Sequence, residues 1–525
     1  MRSWWFDWFL YLAFLLFLLL FPLVLSINFM QSDDWVYYTM VENLIFGDYR
    51  LHVLSPSTFY SQGLLGVAYA TVAPLSNLPV LTLLASVTGF YVFARILFDN
   101  YYIDVVTIGI FAFLMFLNPL HVYSTFSFMT EIYMMLALLM MFYFFHSLEL
   151  YDQISDFIFL NISLVIGFFV RQIILVSALA LAIYYIFKKK YYYALVEAVL
   201  FIVTVLVYYL KFPQTIEMYS RKSVLLDNLT NVGATLNTIV AIFILLGAFL
   251  FPLVLREFYA IVQEKSIKRL LQTVVVIFLV YFVFDRFFIY STSYSSTFPH
   301  FNDVFTSTGF IPTSIQGGKY SSSLILYLFS FWGHFGLLGA GVLITHLVRK
   351  FKQEEIINFF VIFIVVYIST LVLLPKVYDR YLLPLIPALI ILFVQTYKDY
   401  NWSFKFISIA YLVFLTFIGY QFTMDYVRLN NASWALAAEI VTKKGVPLQS
   451  VSVNSAWDTK FGIKDPTFIV SLDKPVDMRK TYSNVILYDS VRIKFPLNYF
   501  EKPILYVYQR PSVLYKIDDP SLIIK

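Results

Sequence analysis

The sequence predicts an α-helical polytopic membrane protein of about 13 transmembrane helices, carrying a small non-cytoplasmic C-terminal α/β domain. Three observations lead there. Of the 525 residues, 60% are hydrophobic, 20% aromatic and only 13% charged, about half the roughly 25% charged content of a soluble domain. Apolar runs of about 17 to 25 residues, the length that crosses a hydrocarbon core, recur along the chain. From about Met424 onward those runs stop, and Lys, Asp and Pro become frequent.

The runs place spans near 8–30, 78–98, 103–118, 130–148, 156–169, 172–187, 191–210, 237–255, 270–290, 322–347, 356–374, 380–397 and 404–423. The first follows Arg2 and is longer than a signal-peptide core of about 7 to 15 residues, so it is expected to stay as a helix. With the N-terminus inside, Arg95, Lys188, Lys189, Lys190, Lys268, Arg269, Arg349 and Lys350 fall on the cytoplasmic side and fewer basic residues on the other. This orientation puts Asp33, Asp34 and the tail on the non-cytoplasmic face of the plasma membrane. Residues 1–423 then form the membrane domain and 424–525 the soluble one.

Two outer segments are long. The first, 30–77, contains an amphipathic stretch, Val36–Phe46, expected to lie flat at the interface. The second, 291–321, is rich in Ser, Thr, Gly and Tyr and reads as a flexible loop of the kind that serves as a lid. In the tail, Asn431–Lys444 reads as an amphipathic helix closed by Gly445. Short runs at Ser450–Asn454, Thr467–Leu472, Asn484–Tyr488, Ile504–Tyr508 and Val513–Ile517 read as strands. The sequons at Asn228 and Asn431 face outward.

Several chemistries are excluded or disfavoured. The absence of cysteine rules out disulfides, thiolate metal sites and a cysteine nucleophile. A formal charge of +5 without a dense basic block does not suit nucleic acid, and lipids are the expected partners. No phosphate loop, dinucleotide fingerprint, His-Glu-x-x-His or Gly-x-Ser-x-Gly elbow is present.

The charges without an obvious partner gather on the outer face. Asp33 and Asp34 stand side by side where the first span ends, and a tandem acidic pair repels itself. Either one, held at low dielectric, suits a general base. The alternative is ordinary interfacial charge. Glu131 heads the fourth span, where it could merely complement the helix dipole with Thr130 as cap. Arg171 lies deep in apolar sequence, which calls for an anion or a polar cavity. Lys376 and Arg380 flank Val377-Tyr378-Asp379. Arg380 either pairs with Asp379 or offers its fork to a phosphate. Three metal ligands at metal spacing are absent, so a divalent cation is an open option only, with Asp33 and Glu131 as its ligands.

Paired acids after the first span, an interfacial helix ending in Gly47-Asp48, Thr130-Glu131, Arg171-Gln172, Asp379-Arg380-Tyr381 with Pro384, and an outer C-terminal domain form one ordered set. That set resembles the C-type membrane glycosyltransferases, especially the branch of protein O-mannosyltransferases and aminoarabinose transferases. Where that family carries a Pro-rich first-loop segment, this chain has Tyr60-Ser61-Gln62-Gly63. The resemblance implies inverting transfer of one sugar from a polyprenyl-phosphate donor to a lipid, glycan or protein acceptor. It implies Asp33 or Asp34 as base, Glu131 beside them, and Arg171, Lys376 and Arg380 on the donor phosphate. Tyr60, Gln62, Gln172 and Tyr378 are the expected substrate contacts. The competing class is a transporter or lipid flippase using the same carboxylates, although transporters hold such groups near the bilayer midplane.

Overall fold

A computed structural model describes residues 7–31, 33–52, 55, 58–101, 103–211, 231–288, 298–301, 303–307, 309–310, 323–353, 358–374, 377–397, 400–472, 486–492 and 504–510. They are mostly helical. The first half runs through α1 (Trp8–Leu25), α2 (Asp34–Ile45), α3 (Tyr60–Ala70), α4 (Pro79–Tyr101), α5 (Val105–Phe116), α6 (Pro119–Thr125), α7 (Thr130–Tyr151), α8 (Ile154–Phe168), α9 (Leu175–Phe187) and α10 (Tyr191–Lys211). The second half adds α11 (Val232–Phe249), α12 (Phe251–Gln263), α13 (Ile267–Phe288), α14 (Ser323–Gln353), α15 (Phe359–Val372), α16 (Leu385–Thr396), α17 (Trp402–Lys444) and α18 (Ser455–Phe461).

Among the described residues, nine helices are long and apolar enough to cross a membrane. The number is ten if α5 and α6, bent by 67° at their junction, count as one span. The expected segments near 156–169, 172–187 and 356–374 are apolar helices that fall short of that length. Several spans turn bare hydrocarbon outward: Leu18 and Leu19 on α1, Leu206 on α10 and Phe278 on α13 are all exposed. Water would not tolerate so much uncovered apolar surface, whereas lipid does, so the chain is a multi-pass membrane protein.

The break between α5 and α6 follows from Asn118-Pro119. Proline has no N–H to continue the helix, and the Asn118 side chain accepts the Leu120 N–H at 3.0 Å, starting a new one. The stretch between the expected spans 103–118 and 130–148 is therefore largely a buried helix.

Two expectations about the outer segments are corrected. In α2, Trp35, Val36, Tyr37, Tyr38, Met40 and Val41 are all buried, so its first two turns are enclosed by protein rather than laid flat on lipid. Gly63 and Gly66 of α3 make this possible, since a Cβ on either would come within 2.7 Å of Leu44 or Val41. The described part of 291–321 is packed, not loose: Phe298, Phe301, Val304, Phe305 and Phe310 are all buried. Phe305–Thr306 and Gly309–Phe310 pair as the short antiparallel strands β1 and β2.

The domain boundary at 424 falls inside a continuous helix. α17 has 43 residues, about 65 Å at 1.5 Å per residue, roughly twice the hydrocarbon thickness. Its last turns rise out of the membrane and end at Gly445, whose φ of 60° supplies the left-handed cap. There Leu436, Ala437 and Ile440 pack on a four-stranded sheet. Its strands are β3 (Val451–Ser452), β4 (Phe468–Ser471), β5 (Ile486–Arg492) and β6 (Ile504–Gln509), in the order β3-β4-β6-β5. Only β3 and β4 run parallel. The expected strand 513–517 and the sequon at Asn228 lie outside the described residues. Asn431 is not a free sequon, because its Nδ2 donates to the Ser26 carbonyl and its Oδ1 accepts the Asn28 N–H, both at 2.7 Å.

Candidate active site

The two adjacent acids have different fates. Asp34 is 2% exposed, and its Oδ2 accepts the backbone N–H groups of Phe128 at 3.2 Å and Gln31 at 3.4 Å. Gln62, also fully buried, donates its Nε2 to the Phe128 carbonyl at 2.9 Å. Phe128 is thus held by both its N–H and its carbonyl, which makes Asp34 and Gln62 the clamp that fixes the turn leading into α7. Burial pushes the Asp34 carboxyl well above the usual Asp range, against the two amides that pull it down. Asp33 is half-buried and, among the described residues, makes no ion pair or side-chain hydrogen bond. It lies close enough to Arg380 and Tyr37 to act on both electrostatically.

The turn fixed by Asp34 presents Glu131, which is 1% exposed. Thr130 does not cap this helix. The N-cap is Met129, without a side-chain bond, and the Thr130 hydroxyl finds no acceptor. Arg171 reaches Glu131 from the α8–α9 junction, with Nη1 2.5 Å from Oε1. The junction is braced by the first outer segment: Thr58 donates its hydroxyl to the Phe168 carbonyl, and Ser61 donates its N–H to Phe169 at 2.9 Å. Arg380 brings Nε within 3.3 Å of the same Oε1 and 3.9 Å of Asp303 Oδ2.

Aromatic rings line the two guanidiniums. Arg171 stands over Tyr381 at 4.8 Å and Arg380 over Tyr378 at 5.2 Å, both within cation–π range. Tyr37 is buried where the fields of Arg171, Asp33, Glu131 and Arg380 overlap. Arg380 is 8% exposed, yet its Nη1 has no acceptor among the described residues, and Glu131 Oε2 has no donor. A buried guanidinium with unused N–H groups is unusual because each unpaired group costs about 1 to 3 kcal/mol.

Glu131, Arg171 and Arg380, which are far apart in sequence, therefore meet, with Asp33 and Tyr378 beside them. Arg380 does not pair with Asp379. That carboxylate is fully buried and accepts the N–H groups of Val304 at 3.0 Å, Phe305 at 2.7 Å and Arg380 itself at 2.7 Å. Tyr60 is placed apart, donating its hydroxyl to the Tyr49 carbonyl at 2.9 Å on an exposed surface. Gln172 turns toward Tyr208, with its Nε2 3.4 Å from that hydroxyl. Lys376 lies outside the described residues.

A cation shared by Asp33 and Glu131 does not fit this arrangement. Glu131 already faces two guanidiniums, which would repel a dication placed against it. Among the described residues, no group of three or more histidine or carboxylate side chains is arranged to hold a metal.

Sequence reasoning missed Asp303, Tyr37 and Tyr381. Asp303 was hidden in a segment read as a flexible loop, although a lone acid among Ser, Thr and aromatic residues was visible there. Tyr37 falls one turn after Asp33, a spacing that puts both on one helix face.

Set against known proteins, the chain matches no family model, no curated protein and no solved structure.

Proposed function

We propose that this protein is an inverting membrane glycosyltransferase, with 13 crossings of the plasma membrane and its site on the outer face. It moves one sugar from a polyprenyl-phosphate donor to an acceptor hydroxyl or amine. The observation that carries this reading is the buried Arg380, held beside Glu131 and Arg171 and in the field of Asp33, with an N–H group that has no acceptor among the described residues.

In the reaction, the acceptor oxygen or nitrogen attacks the anomeric carbon from the face opposite the phosphate. The bond from that carbon to the phosphate oxygen breaks, and the electron pair leaves with the polyprenyl phosphate. Arg380, with Arg171 behind it, meets the charge that develops on the leaving oxygen, and preorganised donors of this kind lower a barrier most where water is excluded. Asp33 takes the acceptor proton. Glu131 holds the two guanidiniums apart and aimed, so that neither collapses onto Asp33. The same groups at a transporter's midplane would suggest ion coupling, but here they cluster at the ends of α1, α7 and α16.

The test is sugar transfer from a radiolabelled polyprenyl-phosphate sugar in reconstituted membranes. Transfer by the wild type, lost in Asp33→Asn, is the expected result. Equal rates in the two proteins overturn the assignment of the base.

A further inference from the structure

We infer that Asp379 and Asp303 are positioning residues of this site, the first pinning an outer strap and the second using that strap to aim Arg380. The inference rests on the donor-phosphate reading above. Asp379 is next to Arg380 in the chain, and neutralising its neighbour would be the simplest use of its charge. Instead, its carboxylate is spent on backbone: Oδ2 accepts the Val304 and Phe305 N–H groups and Oδ1 that of Arg380. A carboxylate taking several backbone donors is a strong anchor because each bond is charge-assisted.

The anchored residues start β1, and Phe305 and Phe310 on the strap are buried against Trp332, Phe329 and Phe422. Asp303 immediately precedes them. Pinning Val304 and Phe305 therefore fixes where Asp303 stands, 3.9 Å from Arg380 Nε. Glu131 approaches that same nitrogen at 3.3 Å, and Tyr378 lies under the guanidinium. Glu131 and Asp303 hold Nε by charge without a hydrogen bond, Tyr378 covers one face, and Nη1 has no acceptor among the described residues. The free end of the fork is thus turned toward whatever anion enters. Arg380 reads the phosphate, and Asp303 and Asp379 set its angle.

The sign of one measurement separates positioning from plain electrostatics. Deleting a negative charge beside a guanidinium raises its affinity for anions if field alone matters. If Asp303 aims Arg380, Asp303→Asn instead weakens binding of a short-chain polyprenyl phosphate, by about tenfold, and Asp303→Glu restores part of it. Tighter or unchanged binding in Asp303→Asn overturns the inference.

A second readout does not depend on the donor. The chain has no cysteine, so Val304→Cys in the full-length protein reports on the strap alone. Val304 is fully buried, and the introduced thiol is expected to resist maleimide while Asp379 is present. Asp379→Asn turns one acceptor oxygen into a donor facing two N–H groups, and labelling should rise at least severalfold, whereas Asp303→Asn should leave it low. Unchanged labelling in Asp379→Asn overturns the strap. Should the wild type bind no polyprenyl phosphate at all, the donor reading fails, and so does the aiming role drawn from it. The labelling result then still decides whether Asp379 holds the strap.

Discussion

Two buried carboxylates sit near the two ends of the same membrane segment, and they are used differently. Near the start of α16, Glu131 meets Arg171 and Arg380. Near its end, Glu257 of α12 meets His346, Arg349 and Tyr397. Glu257 has both oxygens engaged: Oε2 accepts the Tyr397 hydroxyl and lies 2.9 Å from His346 Nδ1, while Oε1 lies 3.2 Å from Arg349. The His346 ring stacks on Phe393 at 4.5 Å. Glu131 keeps Oε2 without a donor among the described residues. A carboxylate with both oxygens engaged ties helices together. One that leaves an oxygen unspent retains capacity for a ligand.

The largest effect expected from this contrast is on rate. Asp33→Asn should lower sugar transfer by about 100-fold to 10,000-fold, the range for loss of a general base. Asp34→Asn, which keeps an acceptor for the Phe128 amide, should stay within a few-fold of wild type. Equal losses in both variants would erase the distinction between the two acids.

Next in size is the Glu257 cluster. Glu257→Gln leaves Arg349 without its counter-charge, and breaking a buried pair from one side costs about 3 to 5 kcal/mol. Thermal unfolding in detergent should occur at clearly lower temperature, with the transfer rate per folded molecule unchanged. A fall in specific activity would mean that Glu257 serves the reaction too.

Smaller still, Arg380→Lys keeps the charge but loses the planar fork, and should weaken polyprenyl-phosphate binding about 10-fold to 100-fold. Arg349→Lys should leave that affinity alone. Isothermal titration of both variants would sharpen the comparison, and equal affinities for Arg380→Lys and wild type would remove the fork from the site.

The smallest effect concerns pH. Burial raises the Asp34 carboxyl, so the folded protein holds that proton more tightly than the unfolded chain. Its contribution to stability is fully present below the ordinary Asp value near 3.9 and is lost as pH rises through the raised one. Asp34→Asn should flatten this part of the pH dependence of unfolding. An identical slope in the variant would show that the group titrates normally.

The membrane class, the helical segments and the C-terminal sheet were legible because each rests on a one-dimensional signal. Hydrocarbon thickness sets run length, and strand pairing sets alternation. Glu131, Arg171 and Arg380 could be picked out because an ion in apolar sequence demands a partner. Who partners whom was not legible. Nothing in Gln31-Ser32-Asp33-Asp34 says which acid turns inward, because neighbours on a helix point about 100° apart and the choice depends on where Phe128 arrives from 94 residues away. Asp379 looked like the natural mate of Arg380, yet it binds backbone 75 residues upstream.

By itself, the sequence determined that this chain lies in lipid, where its helices run, and which few charged side chains needed an explanation. Only the tertiary structure decided that Asp34 is a clamp while Asp33 makes no ion pair among the described residues, that α6 folds back into the protein, and that Asp379 pins Val304 and Phe305 so that Asp303 stands beside Arg380. The physical reason is that burial, and with it the worth of every charge, depends on neighbours brought from elsewhere in the chain, which no local pattern encodes.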